Sequence, residues 1–117
     1  MKIINLTTHD VCVKNKFGKD IIYKQSGFTA RAISQYSHYG VIDNDVVIEK
    51  EVEPKLDFGV QKIEPYAMYI VSYQFAMKLK NINHKLKHQF VYPSACKAER
   101  EEGTGKILSV PSLVAIQ

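Results

Sequence analysis

A chain of 117 residues, 45% apolar and 24% charged, is large enough to bury a core as one domain spanning 1–117, without a disulfide or metal staple. Its 16 Lys and Arg against 12 Asp and Glu leave a formal charge of +4. That balance favours anionic partners mildly and falls short of a dedicated nucleic-acid binder. No apolar run approaches the roughly 18 residues of a membrane-spanning helix. No signal-peptide pattern opens the chain, and Cys12 and Cys96 have no paired spacing. A soluble protein of a reducing cytosol is therefore expected, with both thiols buried.

In chain order, "KIINLTTHDVCVKN" alternates apolar and polar residues on either side of "TTH". Period two predicts a first strand near Lys2 to Leu6 and a second near Val11 to Lys14. "NKFGKD" is a glycine-containing turn, so "IIYKQ" is expected to return as the hairpin partner. "TARAISQYSHYGVID" again has strand spacing. Regular alternation places Arg31, Ile33, Gln35, Ser37 and Tyr39 on one face and Ala30, Ala32, Ser34, Tyr36 and His38 on the other. "DND" (Asp43 to Asp45) marks a turn, after which "IEKEVEPKL" reads as a solvated edge strand whose pairing is limited by Pro54.

"PYAMYIVSY" is the most apolar run and is predicted to be a central strand. A short helix follows near residues 73–82, with Phe75, Ala76, Leu79 and Ile82 on one face and Lys78, Lys80 and Asn81 on the other. "FVYP" is a further strand, "ACKAER–EEGTG–KILSV" a closing hairpin, and "SLVAIQ" a last extended stretch. Together these elements predict a mostly β protein, a single-domain sandwich or barrel with one short helix.

Catalytic signals are missing. "GTGK" at Gly103 to Lys106 lacks the first glycine of a phosphate loop, where Arg100 stands, and the following Ser or Thr, where Ile107 stands, so it reads as a hairpin turn. His84 and His88 have the i, i+4 spacing of a metal clip, but Lys85 and Lys87 between them would repel a cation. Asp43 and Asp45 belong to a turn, where carboxylates usually cap backbone. No Ser-His-acid or Cys-His set stands out. A binding protein is expected rather than an enzyme, with no cofactor and no metal.

Binding chemistry is better represented. Arg31 and Arg100 are the only arginines in a chain that otherwise uses lysine. A guanidinium grips phosphate or carboxylate with two bonds and stacks on flat rings, which an ammonium does not do. Lys78, Lys80, Lys85 and Lys87, with His84 and His88, form an acid-free segment attractive to phosphate. Tyr73 and Phe75 upstream offer rings on which a base could stack, a contact worth about 1–3 kcal/mol per base. Asn83 can present donor and acceptor to an adenine edge.

The ordered motifs "IINLTTHDVCV", "SGFTARAI", "YIVS" at Tyr69 to Ser72 and "ER…GKILSVPSL" make most of the chain similar to the first family of phage Thoeris anti-defence proteins. Members of that family typically show "IINLTPH", a Ser-Gly-x-x-Ala-Arg stretch, "YIVS", and an Arg-Asp hairpin with Gly-x-Ile. The present chain departs in "TTH", in the basic "KNINHKLKH" loop and in "EKEVEPKLDFG". The resemblance implies a mostly β sponge acting in the cytoplasm of the infected bacterium. It would capture a cyclic ADP-ribose-type signal made by a TIR-domain enzyme and hold it intact in pockets between protomers of a homodimer or hexamer. Some members also hold cyclic oligonucleotide signals at separate sites. Matched by position, the implied ligand residues are Arg31, Tyr73, Asn83 and Arg100, with Phe75 and Lys85 as additional contacts. The competing expectation is a small phage structural or nucleic-acid-binding protein that uses Lys78 to Lys87.

Overall fold

The computed structural model describes residues 1–117, the side chain of Lys97 excepted. Its centre is a four-stranded sheet in the order β1–β6–β7–β10, built from β1 (Lys2–Asn5), β6 (Ala67–Ile70), β7 (Phe90–Pro93) and β10 (Leu113–Ala115). β6 runs parallel to both β1 and β7, while β10 is antiparallel to β7. A central parallel strand needs cover on both faces. The run "AMYIV" meets that need: Tyr69 is 1% exposed, Ile70 and Val71 not at all.

One face of this sheet is covered by α1 (Tyr73–Asn81), the crossover from β6 to β7. Ser72 caps the helix, its Oγ accepting from the Phe75 N–H at 3.2 Å, and Phe75, Ala76 and Leu79 project into the core at the predicted helical spacing. Phe58 packs edge-on to Phe75 with centroids 5.4 Å apart, and Tyr69 stacks on Phe90 at the same separation. The opposite face carries Ile70 and Val91, covered by Val11, Val13 and Tyr23 of an antiparallel ribbon, β2 (Val11–Lys14) and β3 (Asp20–Tyr23). The turn of that ribbon is held by Asn15, whose Oδ1 accepts from the N–H groups of Phe17 and Lys19 at 3.0 Å each. A second small hairpin, β8 (Glu99–Arg100) with β9 (Ile107–Ser109), closes the chain's far end.

The mostly β class with one short helix is thus realised by several small sheets, and no barrel closes. The β2–β3 ribbon packs over one face of the central sheet, and Ala32 and Leu56 near the start of β4 and the end of β5 pack against the core on the other.

The largest element stands apart. β4 (Arg31–Ile42) and β5 (Val46–Asp57) pair antiparallel over twelve residues each, which makes a ribbon about 40 Å long. The predicted "DND" turn connects them, with Asn44 and Asp45 at φ 57° and 58°, left-handed values that Asn and Asp tolerate best among side-chain-bearing residues. Two bulges interrupt the ladder. At the first, Glu53 and Pro54 oppose Ser34 alone, so the proline without an N–H sits where the ladder is already broken. At the second, Tyr39 is the extra residue, so the expected alignment of Tyr39 with Arg31 along one face is lost there. At the base, Gly59 lies against Thr29; a Cβ at Gly59 would fall 2.5 Å from the Thr29 carbonyl oxygen, and its φ of +75° also requires glycine.

The ribbon gives the molecule extents of 59 × 41 × 26 Å and a radius of gyration of 17.4 Å. A compact chain of this length would have about 13 Å.

Candidate functional site

The site begins at Asn5, the last residue of β1 and almost fully buried. Its amide is spent completely: Nδ2 donates to the carbonyls of His9 and Tyr23, each at 2.9 Å, and Oδ1 accepts from the Thr7 N–H at 2.9 Å and the Thr7 hydroxyl at 2.6 Å. A buried amide with all its bonds made is a rigid post. It holds Thr7, Thr8 and His9, the residues that break the alternation, as a loop on the protein surface.

That loop forms one wall of a cavity of about 670 Å³, within the range of small-ligand sites. Thr29, Ala30 and Arg31, entering β4, form the second wall; Ser72, Tyr73 and Gln74 at the start of α1 form the third. Pro93, Ala95 and Ile107 complete the rim. A smaller adjoining cavity of about 300 Å³ shares His9, Val11, Pro93 and Ile107 with the first and is lined further by Cys12, Ile22 and Leu108.

The electrostatics of the larger cavity suit an anion. The Tyr73 and Gln74 N–H groups precede the first helical bond and have no acceptor among the described residues, which leaves the positive end of the helix dipole facing the opening. Arg31 is exposed and forms no hydrogen bond or ion pair among the described residues, so its guanidinium is free for a ligand. Tyr73 is 58% exposed and is held edge-on by Tyr92 at 5.3 Å, so one ring face stays open. His9 keeps its Nδ1 within 2.9 Å of the Thr8 hydroxyl.

Of the residues expected at a ligand, Arg31 and Tyr73 therefore share this cavity, and the others are placed differently. Phe75 lies at its floor but is fully buried between Phe58 and Phe90; its ring is core and cannot stack on a base. Asn83 follows the other end of α1, about 15 Å from Tyr73 at the helical rise, and its Oδ1 accepts from Lys87 Nζ at 2.8 Å. A base stacked on Tyr73 is out of its reach within one chain. Lys85 is exposed in the same distal segment. Arg100 sits in the β8–β9 hairpin, donating from Nη1 to the Gly105 carbonyl at 2.8 Å, and does not line the cavity, although its ladder partner Ile107 does.

The basic segment is partly engaged internally. Lys78 pairs with Glu51 at 3.1 Å and Lys87 with Asn83, while Lys80 and Lys85 have no ion pair among the described residues. His84 accepts from the Leu86 N–H through Nδ1 at 3.1 Å and packs on Phe58. No group of three metal-ligating side chains occurs among the described residues.

The thiols differ from expectation. Cys12 is half-buried, and its pKa is raised by desolvation and secondarily by Asp20, with Lys14 opposing. Cys96 is exposed, in a single helical turn between β7 and β8. No helix among the described residues is long and apolar enough to cross a membrane.

Sequence reasoning passed over Asn5, Ser72 and Gln74. Ser72 carried a readable signal, a serine directly before a helical run. Asn5 carried none, because its four partners converge only in the folded chain. Compared with protein families, curated proteins and solved structures, the chain matches none.

Proposed function

We propose that the protein is a phage anti-defence sponge. It binds and sequesters, without cleaving, a cyclic ADP-ribose-type signal such as glycocyclic ADP-ribose, made by a TIR-domain enzyme in the cytoplasm of the infected bacterium. One observation carries the reading. The four motif segments that resemble the Thoeris anti-defence family, separated widely in sequence, all contribute to a single cavity: Thr7 to His9 from "INLTTH", Arg31 from "SGFTAR", Ser72 and Tyr73 from "YIVSY", and Ile107 from "GKILS".

The chemistry of that cavity fits a compact dinucleotide. Its diphosphate lies between the Arg31 guanidinium and the free N–H groups at the start of α1, where both the charge and the donors are already oriented. An adenine ring stacks on the open face of Tyr73. Thr8 and His9 face the ribose hydroxyls. Asn83 and Lys85, remote from this cavity within one chain, reach a ligand only from a neighbouring protomer of a homodimer or hexamer, whereas Arg100, whose ladder partner Ile107 lines the rim, stands beside the cavity. Nothing in this arrangement supplies an activated nucleophile, so the ligand is retained rather than turned over.

The test is recovery of the ligand. Protein incubated with cyclic ADP-ribose isomers is desalted, denatured and chromatographed. Intact nucleotide in the denatured fraction is the expected result; a linearised product would indicate an enzyme, and an empty fraction would contradict the sponge. Binding of polymeric nucleic acid through Lys78 to Lys87 is separated by salt, since counterion release makes such binding fall steeply as salt rises.

A further inference from the structure

The smaller cavity differs in kind from the one beside Arg31. Val11 and Tyr23 of the β2–β3 ribbon pack on the central sheet, so alternation turns the cross-strand pair Cys12 and Ile22 to the other side. The chain just after β9 runs alongside β2. The Val110 N–H donates to the Cys12 carbonyl and the Lys14 N–H to the Val110 carbonyl, each at 2.9 Å. Ile107 and Leu108 thereby join Cys12 and Ile22 around a hollow of about 300 Å³. Ile22, Ile107 and Leu108 are 57%, 42% and 48% exposed, so an occupant that covers them takes apolar surface from water on three sides.

The charged or titratable side chains of the lining, the Cys12 thiol apart, are those of His9 and Asp10, both at the entry to β2. Asp10 Oδ1 accepts from the Gln25 N–H at 2.8 Å, which fixes the carboxylate. Its Oδ2 has only Lys24, at 3.7 Å, and keeps lone pairs for a further donor. No lysine or arginine lines this cavity, and the Asp10 charge repels phosphate, so it selects against a nucleotide. Volume narrows the class further. An apolar cavity of about 150 Å³ admits one benzene ring, and twice that volume admits a fused pair.

We propose that this cavity is a binding site for a neutral, flat aromatic molecule of one or two rings that carries an N–H or O–H group. The ring lies against Ile22, Ile107 and Leu108, and its donor bonds to the Asp10 carboxylate. Such binding needs neither Arg31 nor a nucleotide.

Cys12 is the built-in reporter, because it lines the cavity, while Cys96, exposed and outside it, is the reference. The probe is indole. The reading is the rate at which iodoacetamide alkylates each cysteine of the nucleotide-free full-length protein, resolved by peptide mass spectrometry. With indole at ten times its dissociation constant, labelling of Cys12 is expected to slow about tenfold and that of Cys96 not at all. 1-Methylindole, which lacks the N–H, is expected to protect less at the same concentration. Ile22→Asp sets a charge in the apolar wall and is expected to abolish protection with an unchanged far-ultraviolet circular dichroism spectrum. Should that variant fail to fold, Leu108→Asp, from β9, carries the same test. A Cys12 rate unaffected by indole up to its solubility overturns the proposal. Equal slowing of both cysteines, or protection that survives both substitutions, does so too. Equal protection by 1-methylindole overturns the role given to Asp10. Recovery of nucleotide bears on the sponge reading alone.

Discussion

The central sheet and the β4–β5 ribbon use the same backbone ladder to opposite effect. β6 has only four residues, yet Tyr69 and Ile70 are sealed from water by α1 on one face and the β2–β3 ribbon on the other. β4 and β5 are three times as long, and none of their residues is fully buried. Length and hydrogen bonding therefore do not decide which strands stabilise the fold; the neighbours over each face do. The cavity lies at the boundary between the two regions, with Arg31 the first residue of β4 and Tyr73 the first of α1.

The largest effect that would sharpen this contrast comes from trimming one side chain in each region. Phe75→Ala removes a ring from the sealed core and is expected to cost about 3–5 kcal/mol in urea denaturation. Val47→Ala, which removes apolar atoms from the exposed tip of the β4–β5 ribbon, is expected to change the unfolding of dilute protein by under about 0.5 kcal/mol. Comparable losses at both positions would break the comparison.

A smaller effect tests the post behind the site. Asn5→Asp sets a carboxylate against the carbonyls of His9 and Tyr23, which the amide now donates to. A loss of more than about 2 kcal/mol is expected at neutral pH. The sign with pH follows from desolvation. The introduced acid has a folded pKa raised above its unfolded value, so the deficit is smallest in acid and grows as pH rises through the ordinary carboxylate range. A pH-independent deficit would mean the site is less buried than described.

The smallest effect concerns the thiols. Cys96 is expected to alkylate ahead of Cys12 at neutral pH, as mass spectrometry of a time course would show, since Cys96 is exposed and burial keeps the Cys12 thiol protonated. Because the folded pKa of Cys12 is raised, its contribution to stability is complete below the ordinary thiol value and declines as pH rises toward the raised one. Equal labelling rates would contradict this.

Local pattern made the individual elements legible. The β-branched apolar residues in "KIIN", "VCVK" and "DIIY", the "DND" turn and the helix from Tyr73 carry their signals within a few residues. Pairing of β1, β6 and β7 in parallel does not, since it joins segments more than sixty residues apart in the case of Lys2 and Ala67. The β4–β5 ribbon reads as strand in either setting, because periodicity reports which side chains share a face and says nothing of whether a neighbour covers it. At the site, Arg31 and Tyr73 could be nominated from side-chain chemistry. The separation of Tyr73 from Asn83 was also implicit in the predicted helix, which places them at its opposite ends. Phe75 was ambiguous in principle: an aromatic at a core-facing helical position is usually packing, and here it is.

The proposed ligand lies at the cavity between the first turn of α1 and Arg31, the first residue of β4. Calorimetric titration of wild type and Arg31→Ala with a cyclic ADP-ribose-type nucleotide tests this most directly. Saturable binding is expected in the wild type, weakened about 10- to 100-fold in Arg31→Ala by the loss of charge-assisted bonds, with thermal stability of the free protein unchanged. Equal affinity in the two proteins, or no heat of binding in the wild type, would contradict it.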